Sequence, residues 1–394
     1  MRTRTALTTG AVLFGMLLAA APPALADAPA KGPKPKPTRT TTPKPTPTSS
    51  PTPTPTSSPT PTTSPTPTAS PTDTTTPPPT PTPMPTADRT VVLLPSLVDG
   101  LGSTARDANA QGVVVGAAKL ATGYWHAVRW VDGQIEDLGT LGGPNSQAEA
   151  IDDQGRIVGT SQDAQGDSHA VAWVDGRIQD LGVKGLTSIA YDTAGDRVVG
   201  VYHVTDGFAG RRAFVRTGET QVTIDVPPGA SATAVNSAGM VAGTHGWQDW
   251  NDPAPDVNQA FVWQHGVTRT LGTLGGATSV ANGINDLGHV VGTSNTATGE
   301  SGAFFWDGTA MCRLASSSPS PTAQAVNDSD LVVGTDGRGS RAMVWPDPSS
   351  ASQLLPLPPE AVGSRAINVN DQGVIVGEAD YLSPSWHPRA VVWR

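Results

Sequence analysis

The sequence predicts an all-β chain folded as a seven-bladed β-propeller with four-stranded blades. Three observations carry that expectation. A unit of the form A-x-x-(I/V)-N-x-x-G-x-(V/I)-V-G recurs, and its closing glycine stands at Gly116, Gly159, Gly200, Gly243, Gly292, Gly334 and Gly377. The spacings of 43, 41, 43, 49, 42 and 43 residues fall in the range of blade repeats and fill residues 89–394. Each unit also reads as four short strands separated by turn residues.

The segments before the repeats differ in kind. Arg2 and Arg4, the apolar run from Ala11 to Ala21, and Ala24-Leu25-Ala26 read as a secretory signal over residues 1–26, with Asp27 as the mature N-terminus. The apolar run is too short for a membrane span, so no transmembrane segment is expected in the mature chain. Between Pro33 and Thr86, 20 Pro, 21 Thr and 6 Ser occupy 47 of 54 positions. That composition cannot bury enough apolar surface to fold, so residues 27–88 are expected to be a disordered Pro/Thr-rich stalk. In polyproline II its core would reach ~170 Å, at about 3.1 Å per residue.

Within a unit, the first strand runs through segments such as Ala281 to Ile284 and ends in a polar turn, Asn285-Asp286-Leu287-Gly288. The second is an apolar run such as Val113-Val114-Val115-Gly116. The third is His126-Ala127-Val128-Arg129-Trp130 or Gln259-Ala260-Phe261-Val262-Trp263. Asp132-Gly133, Asp175-Gly176 and Asp307-Gly308 predict tight hairpins into the fourth. Acids at the first turn read as local turn chemistry, and no D-x-D-x-D-G calcium loop occurs.

Alternation along the third strand puts large residues on one face and alanines on the other, with neither face consistently polar. A blade wedged between two neighbours needs that pattern, so the repeated tryptophans are expected in the core. The position is Trp130, Trp173, Trp263, Trp306, Trp345 and Trp393, with Arg216 in the third unit. The seventh unit stops at Arg394, after its third strand. Thr90-Val91-Val92-Leu93-Leu94-Pro95 resembles Gln353-Leu354-Leu355-Pro356, so the N-terminal strand is expected to close the last blade.

Charge and cysteine narrow the function classes. The chain carries a formal net charge of −9, and residues 89–394 hold 18 Lys+Arg against 31 Asp+Glu, or −13. No basic face for nucleic acid is present, and no nucleic-acid partner is expected. Cys312 is alone, so no intramolecular disulfide staples the fold.

The third-strand motif resembles that of the HAF-repeat family of extracellular repeat proteins, named for His-Ala-Phe. It stands here as His126-Ala127-Val128, His169-Ala170-Val171 and Gln259-Ala260-Phe261. Asp137-Leu138-Gly139-Thr140-Leu141-Gly142-Gly143, Leu271-Gly272-Thr273-Leu274-Gly275-Gly276 and Ile284-Asn285-Asp286-Leu287-Gly288-His289-Val290-Val291-Gly292 are also similar to family segments. The resemblance covers residues 89–394. It implies an exported repeat protein and supplies no catalytic residues.

The variable lengths fall in the loops between second and third strands, all on one end of the disc. Loops on a rigid scaffold are where function concentrates. These loops bring Tyr124, Trp125, Tyr202, Trp247, Asp249, Trp250, Tyr381 and Trp386. Aromatic faces beside carboxylates suit sugar rings, so the expected ligand is a carbohydrate or cell-wall polymer, with an extracellular protein as the other partner class. The aromatics capping the blade ends is the structural alternative.

Catalysis has less in its favour. The seven histidines lack metal-ligand spacing, and no G-x-S-x-G elbow, P-loop or Cys/His pairing appears. No metal, cofactor or catalytic residue is assigned, and a monomer is expected. The rival reading is a secreted polysaccharide hydrolase or lyase on the same face, with Asp249 or Asp252 paired with Glu378 or Asp380.

Overall fold

The computed structural model describes residues 89–207, 210–246, 258–337, 341–382 and 386–394. They form seven four-stranded antiparallel sheets. Blade 1 is representative, with strands Ser103–Ala108, Val114–Lys119, Trp125–Val131 and Gln134–Asp137 in that order. The first strands of blades 2 to 7 begin at Gly142, Thr187, Ser231, Gly275, Thr322 and Gly363. Each first strand touches the first strands of both neighbours, so these seven form the inner ring.

The last blade closes as the repeat arithmetic requires. Val91–Leu93 pairs antiparallel with His387–Trp393, in the register Val91↔Trp393, Val92↔Val392 and Leu93↔Val391. Thr90 and Arg394 exchange backbone hydrogen bonds of 2.8 and 3.0 Å. The two chain ends of the ring thus share one sheet.

The core is seven clusters, one at each blade interface. Between blades 7 and 1, Val128 and Trp130 pack on Val376, Ala390 and Val392; between 1 and 2, Val171 and Trp173 pack on Val115 and Ala127. The large face of every third strand therefore looks to the preceding blade and the alanine face to the following one. Trp130, Trp173, Trp306, Trp345 and Trp393 are buried, whereas Trp263 is half-buried. Burying ~150–250 Å² per ring contributes up to about 4–6 kcal/mol.

The repeated polar residues stitch one blade to the next. The Trp130, Trp173, Trp345 and Trp393 indole N–H groups donate to the carbonyls of Pro95, Leu138, Ala315 and Pro356, at the end of the preceding blade's fourth strand. The third-strand alanine N–H donates to a serine at the start of the next blade's first strand: Ala127 to Ser146, Ala170 to Ser188, Ala260 to Ser279, Ala342 to Ser364, and Ala390 to Ser103.

The asparagine of the first turn does more than the local bonding expected of it. Asn285 Oδ1 accepts from the His289 N–H in its own turn, while its Nδ2 donates to the Asn327 carbonyl. Asn327 then donates to Asn370, and Asn370 to Asn109. The acids beside them extend the ladder, with Asp328 accepting from the Asp286 N–H and Asp371 from the Asp328 N–H. These carboxylates are inter-blade acceptors as well as turn residues.

The recurrent glycine is explained by close approach of backbones. At Gly292 a Cβ would lie 1.9 Å from the Val280 carbonyl oxygen, and at Gly116 2.0 Å from that of Thr104. The hairpin expectation holds for Asp132-Gly133 and Asp175-Gly176, whose positive φ values of 50 and 76°, and 50 and 71°, suit a type I′ turn. Asp307-Gly308 departs from it. Its loop runs from Trp306 to Met311, and Asp307 Oδ1 accepts from the N–H groups of Thr309 and Ala310, holding a wider turn.

Candidate functional site

The framework of repeats makes departures from it informative. One position after the V-V-G glycine, the second strands carry Ala117, Thr160, Val201, Thr244, Thr293 and Thr335, all small or β-branched, but blade 7 carries Glu378. Two positions further on stands Asp380. Opposite Glu378 in the sheet is Arg365, on the first strand. Arg365, Glu378 and Asp380 share the face whose Ala390 packs against blade 1.

The three side chains form one charged cluster near the loop end of the blade 7–blade 1 boundary. The Arg365 guanidinium bonds Glu378 through Nη1 and lies 3.5 Å from Asp380 Oδ2 through Nη2. Glu378 and Asp380 are largely buried, while about a third of the Arg365 side chain is accessible. Burial holds the Asp380 carboxyl above the usual carboxylate range, against the opposing pull of Arg365. Asp380 Oδ1 is buried and has no hydrogen-bond partner among the described residues.

One loop aromatic meets this cluster, and a second lies close to blade 7 from blade 1. Trp386 is 59 % exposed, and its indole N–H donates to Asp380. Trp125 stands at the start of its strand, its N–H donating to Asn145 Oδ1 at 3.0 Å. Its ring and Pro388, of blade 7, both lie over Gly102: a Cβ there would sit 3.0 Å from Trp125 Cη2 and 3.4 Å from Pro388 Cδ. Trp125 and Trp386 thus frame one rim, with Tyr124 exposed beside it at the hairpin end.

The other expected residues have different fates. Tyr202 is buried, its ring 6.4 Å from that of Phe214 and its hydroxyl 2.7 Å from Thr223 Oγ1, so it belongs to the core between blades 2 and 3. Tyr381 is half-buried on the opposite face of blade 7, packed toward blade 6 and stacked on His387 at 5.8 Å. Trp247, Asp249 and Trp250, with Asp252, lie outside the described residues. Arg365 is the site residue that motif reading passes over; aligning the seven repeats and looking for the blade that breaks the pattern finds it.

The histidines of the third-strand motif are accounted for by a neighbouring strand. His126 Nδ1 lies 2.9 Å from Asp137 Oδ2, and His169 Nδ1 3.3 Å from Asp180 Oδ2. Those acids begin the D-L-G strings and accept the N–H of Gly139 and Gly182. Units lacking the histidine also lack the acid, as Gln259 with Thr270 shows. No cluster of three or more His, Cys, Asp or Glu suited to a metal occurs among the described residues.

No family model matches the chain, and no curated protein matches it either. Among solved structures it is similar to the β-propeller domain of the Trilobed protease from Pyrococcus furiosus, with 8% identity and a TM-score of 0.53, covering 74% of this chain and 95% of that one. That propeller is described as having an open velcro topology, whereas here an N-terminal strand completes the last sheet. An acylaminoacyl peptidase from Pyrococcus horikoshii follows at 9% identity and a TM-score of 0.46, over 73% of this chain and 52% of that one, so this chain spans about half its length. TolB from Acinetobacter baumannii gives 11% identity and a TM-score of 0.41, over 72% of this chain and 80% of that one. At such identities the likeness establishes the propeller fold alone.

Proposed function

We propose that this propeller is an exported glycan-binding module, taking carbohydrate or cell-wall polymer at the rim between blades 7 and 1. The signal-like residues 1–26 and the Pro/Thr-rich stalk support export, as does the HAF-repeat resemblance. The observation that carries the ligand class is the pairing of an exposed Trp386 with the buried Asp380 to which it donates. A sugar offers C–H faces to an indole and hydroxyls to the groups around it. Arg365 supplies donors only and the carboxylates supply acceptors, so hydroxyls, which do both, match the set.

The test is a pull-down of the mature chain from Asp27 on cell walls and insoluble polysaccharides, beside Trp125→Ala and Trp386→Ala. Retention by the parent and loss in both variants, with unchanged melting, is the expected result. No retention of the parent on any of these materials would overturn the reading and leave a protein partner as the next candidate.

One observation favours the hydrolase reading as a second. Asp380 holds its proton more tightly than an ordinary carboxyl and stands two residues from Glu378, the asymmetry a general acid needs. New reducing ends released from a retained polysaccharide, and lost in Glu378→Gln, would establish it.

A further inference from the structure

The seven first strands ring the propeller axis, with the blades arranged around a central channel. The alanines Ala105, Ala148 and Ala190 and their equivalents are fully buried between blades. The next residue on each first strand keeps partial exposure in the middle of its strand, among them Arg106, Glu149, Tyr191, Asn282 and Gln324. Mid-strand positions in an inner ring hold that exposure only where the ring does not close upon itself.

Blade 3 breaks the repeat toward this channel, as blade 7 does. At the position of Trp125 it carries Arg211, which donates to Ser231 Oγ on the first strand of blade 4 and bonds the Tyr191 hydroxyl. Arg106 Nε lies 3.9 Å from Glu149 Oε2, a loose pair. Burial holds the Glu149 carboxyl above the ordinary range. One row nearer the loop end stands Thr104, 7% exposed, whose Oγ1 is buried with no hydrogen-bond partner among the described residues. Arg365 occupies the same row, since Gly377 backs onto its carbonyl as Gly116 backs onto that of Thr104.

Along the axis from the loop end, the order is therefore Trp125 over Gly102, then Thr104 and Arg365, then Arg106, Glu149 and Tyr191. At about 3.3 Å per strand residue, the aromatic rim stands ~13 Å above the Arg106 row. Arg106, Arg211 and Arg365 bring donors to this end of the ring, and Glu149, Glu378 and Asp380, with the first-strand Asp107 and Asp192, bring acceptors. A polyol gains from both, because each hydroxyl accepts from an arginine and donates to a carboxylate.

Resting on the glycan-binding reading, we infer that the channel takes the terminal sugar of a chain, so that the module recognises chain ends rather than internal stretches. The polymer then leaves across the rim over Trp125 and Trp386.

Titration calorimetry of the mature chain tests this with cello-, chito-, xylo- and laminari-hexasaccharides and with long polymers of the same linkages. The expected stoichiometry is one protein per chain end for hexamer and polymer alike. Glu149→Gln and Tyr191→Phe should each weaken binding about tenfold. Several proteins bound along one polymer chain overturns the inference. So does parental affinity in both variants while Trp386→Ala loses binding; that result retires the channel and leaves the rim standing. Failure of every glycan and wall preparation to bind overturns both readings. The stoichiometry is read on the parent, so it decides the matter even if a variant misfolds.

Discussion

Replacing Arg365 by methionine removes the cation paired with both Glu378 and Asp380. Both carboxylates then remain on one face of one strand, two residues apart and largely buried. Stripping a buried charge of its partner costs about 3–5 kcal/mol. The guanidinium is about one-third exposed and water screens part of its effect. A loss of about 2–3 kcal/mol is therefore expected at neutral pH. Unfolding entropy of roughly 2.1 cal/mol/K per residue over residues 89–394 gives ~0.6 kcal/mol/K, so Tm should fall by about 3–5 °C. The sign of the pH response follows from the same charges. Without arginine, the Asp380 carboxyl, already raised by burial, loses the charge that opposes that rise, and the variant gains stability as pH falls and it takes up its proton. Differential scanning calorimetry of parent and Arg365→Met at pH 8 and pH 4 reads both effects. The deficit should shrink by more than half at pH 4, and Arg365→Lys should show a smaller deficit at pH 8. An equal deficit at both pH values would refute the electrostatic argument and leave only lost packing.

Other parts of the framework give further expectations. Gly292→Ala forces a methyl to within 1.9 Å of a carbonyl oxygen on the paired strand, so it should cost more than about 3 kcal/mol or prevent folding, read by urea denaturation. Deleting residues 89–96 removes the strand that covers His387–Trp393 and the Pro95 acceptor of Trp130; aggregated material is expected by gel filtration, and a soluble, cooperative melt would rule the closure out. Burial pushes the Asp107 carboxyl up to about 6 and that of Asp192 up to about 7, well above the ordinary range for aspartate. The folded state thus binds more protons, and their contribution to stability declines as pH rises from about 4 to about 7, on the order of 3 kcal/mol for Asp107 and 4 kcal/mol for Asp192. Asp192→Asn should flatten the parent's dependence of Tm on pH in that window, and a parent Tm that climbs steadily from pH 4 to 7 would contradict it.

The fold was legible because a propeller repeats its contacts. The V-V-G glycine, the third-strand tryptophan and the Asp-Gly hairpins each recur with one physical cause, so the repeat could be read without coordinates. The missing fourth strand was legible for the same reason, since Thr90–Pro95 carries the pattern of a strand the seventh unit lacks. Inter-blade partners were not legible. Asn285 has the local signature of a turn residue, and nothing along the chain reveals that its Nδ2 reaches the carbonyl of Asn327. The resting places of the loop aromatics were legible in part. Loop position chose Trp386, which stands exposed, and by the same criterion Tyr202, whose neighbour Phe214 draws it into the core. An aromatic at a loop edge has two resting places, and sequence position does not decide between them.

The two ends of the disc are not chemically alike. On the turn end, Asn109 donates to the Asp152 carbonyl, Asn236 to Asn285 and Asn285 to Asn327, and Asp153, Asp286 and Asp328 accept neighbouring backbone N–H groups. Polar groups there are spent on joining blades. The loop end uses a single serine hydroxyl for the same purpose at five of the joints, which leaves the adjoining positions open to substitution. Blade 7 places Arg365, Glu378 and Asp380 there, and blade 3 places Arg211 there. A ring that must repeat to close can specialise only where repetition is not required. In this molecule both departures fall beside the loop-end mouth of the channel. Binding at that mouth is compatible with every contact that holds the ring, whereas a site on the turn end would have to displace the joints themselves.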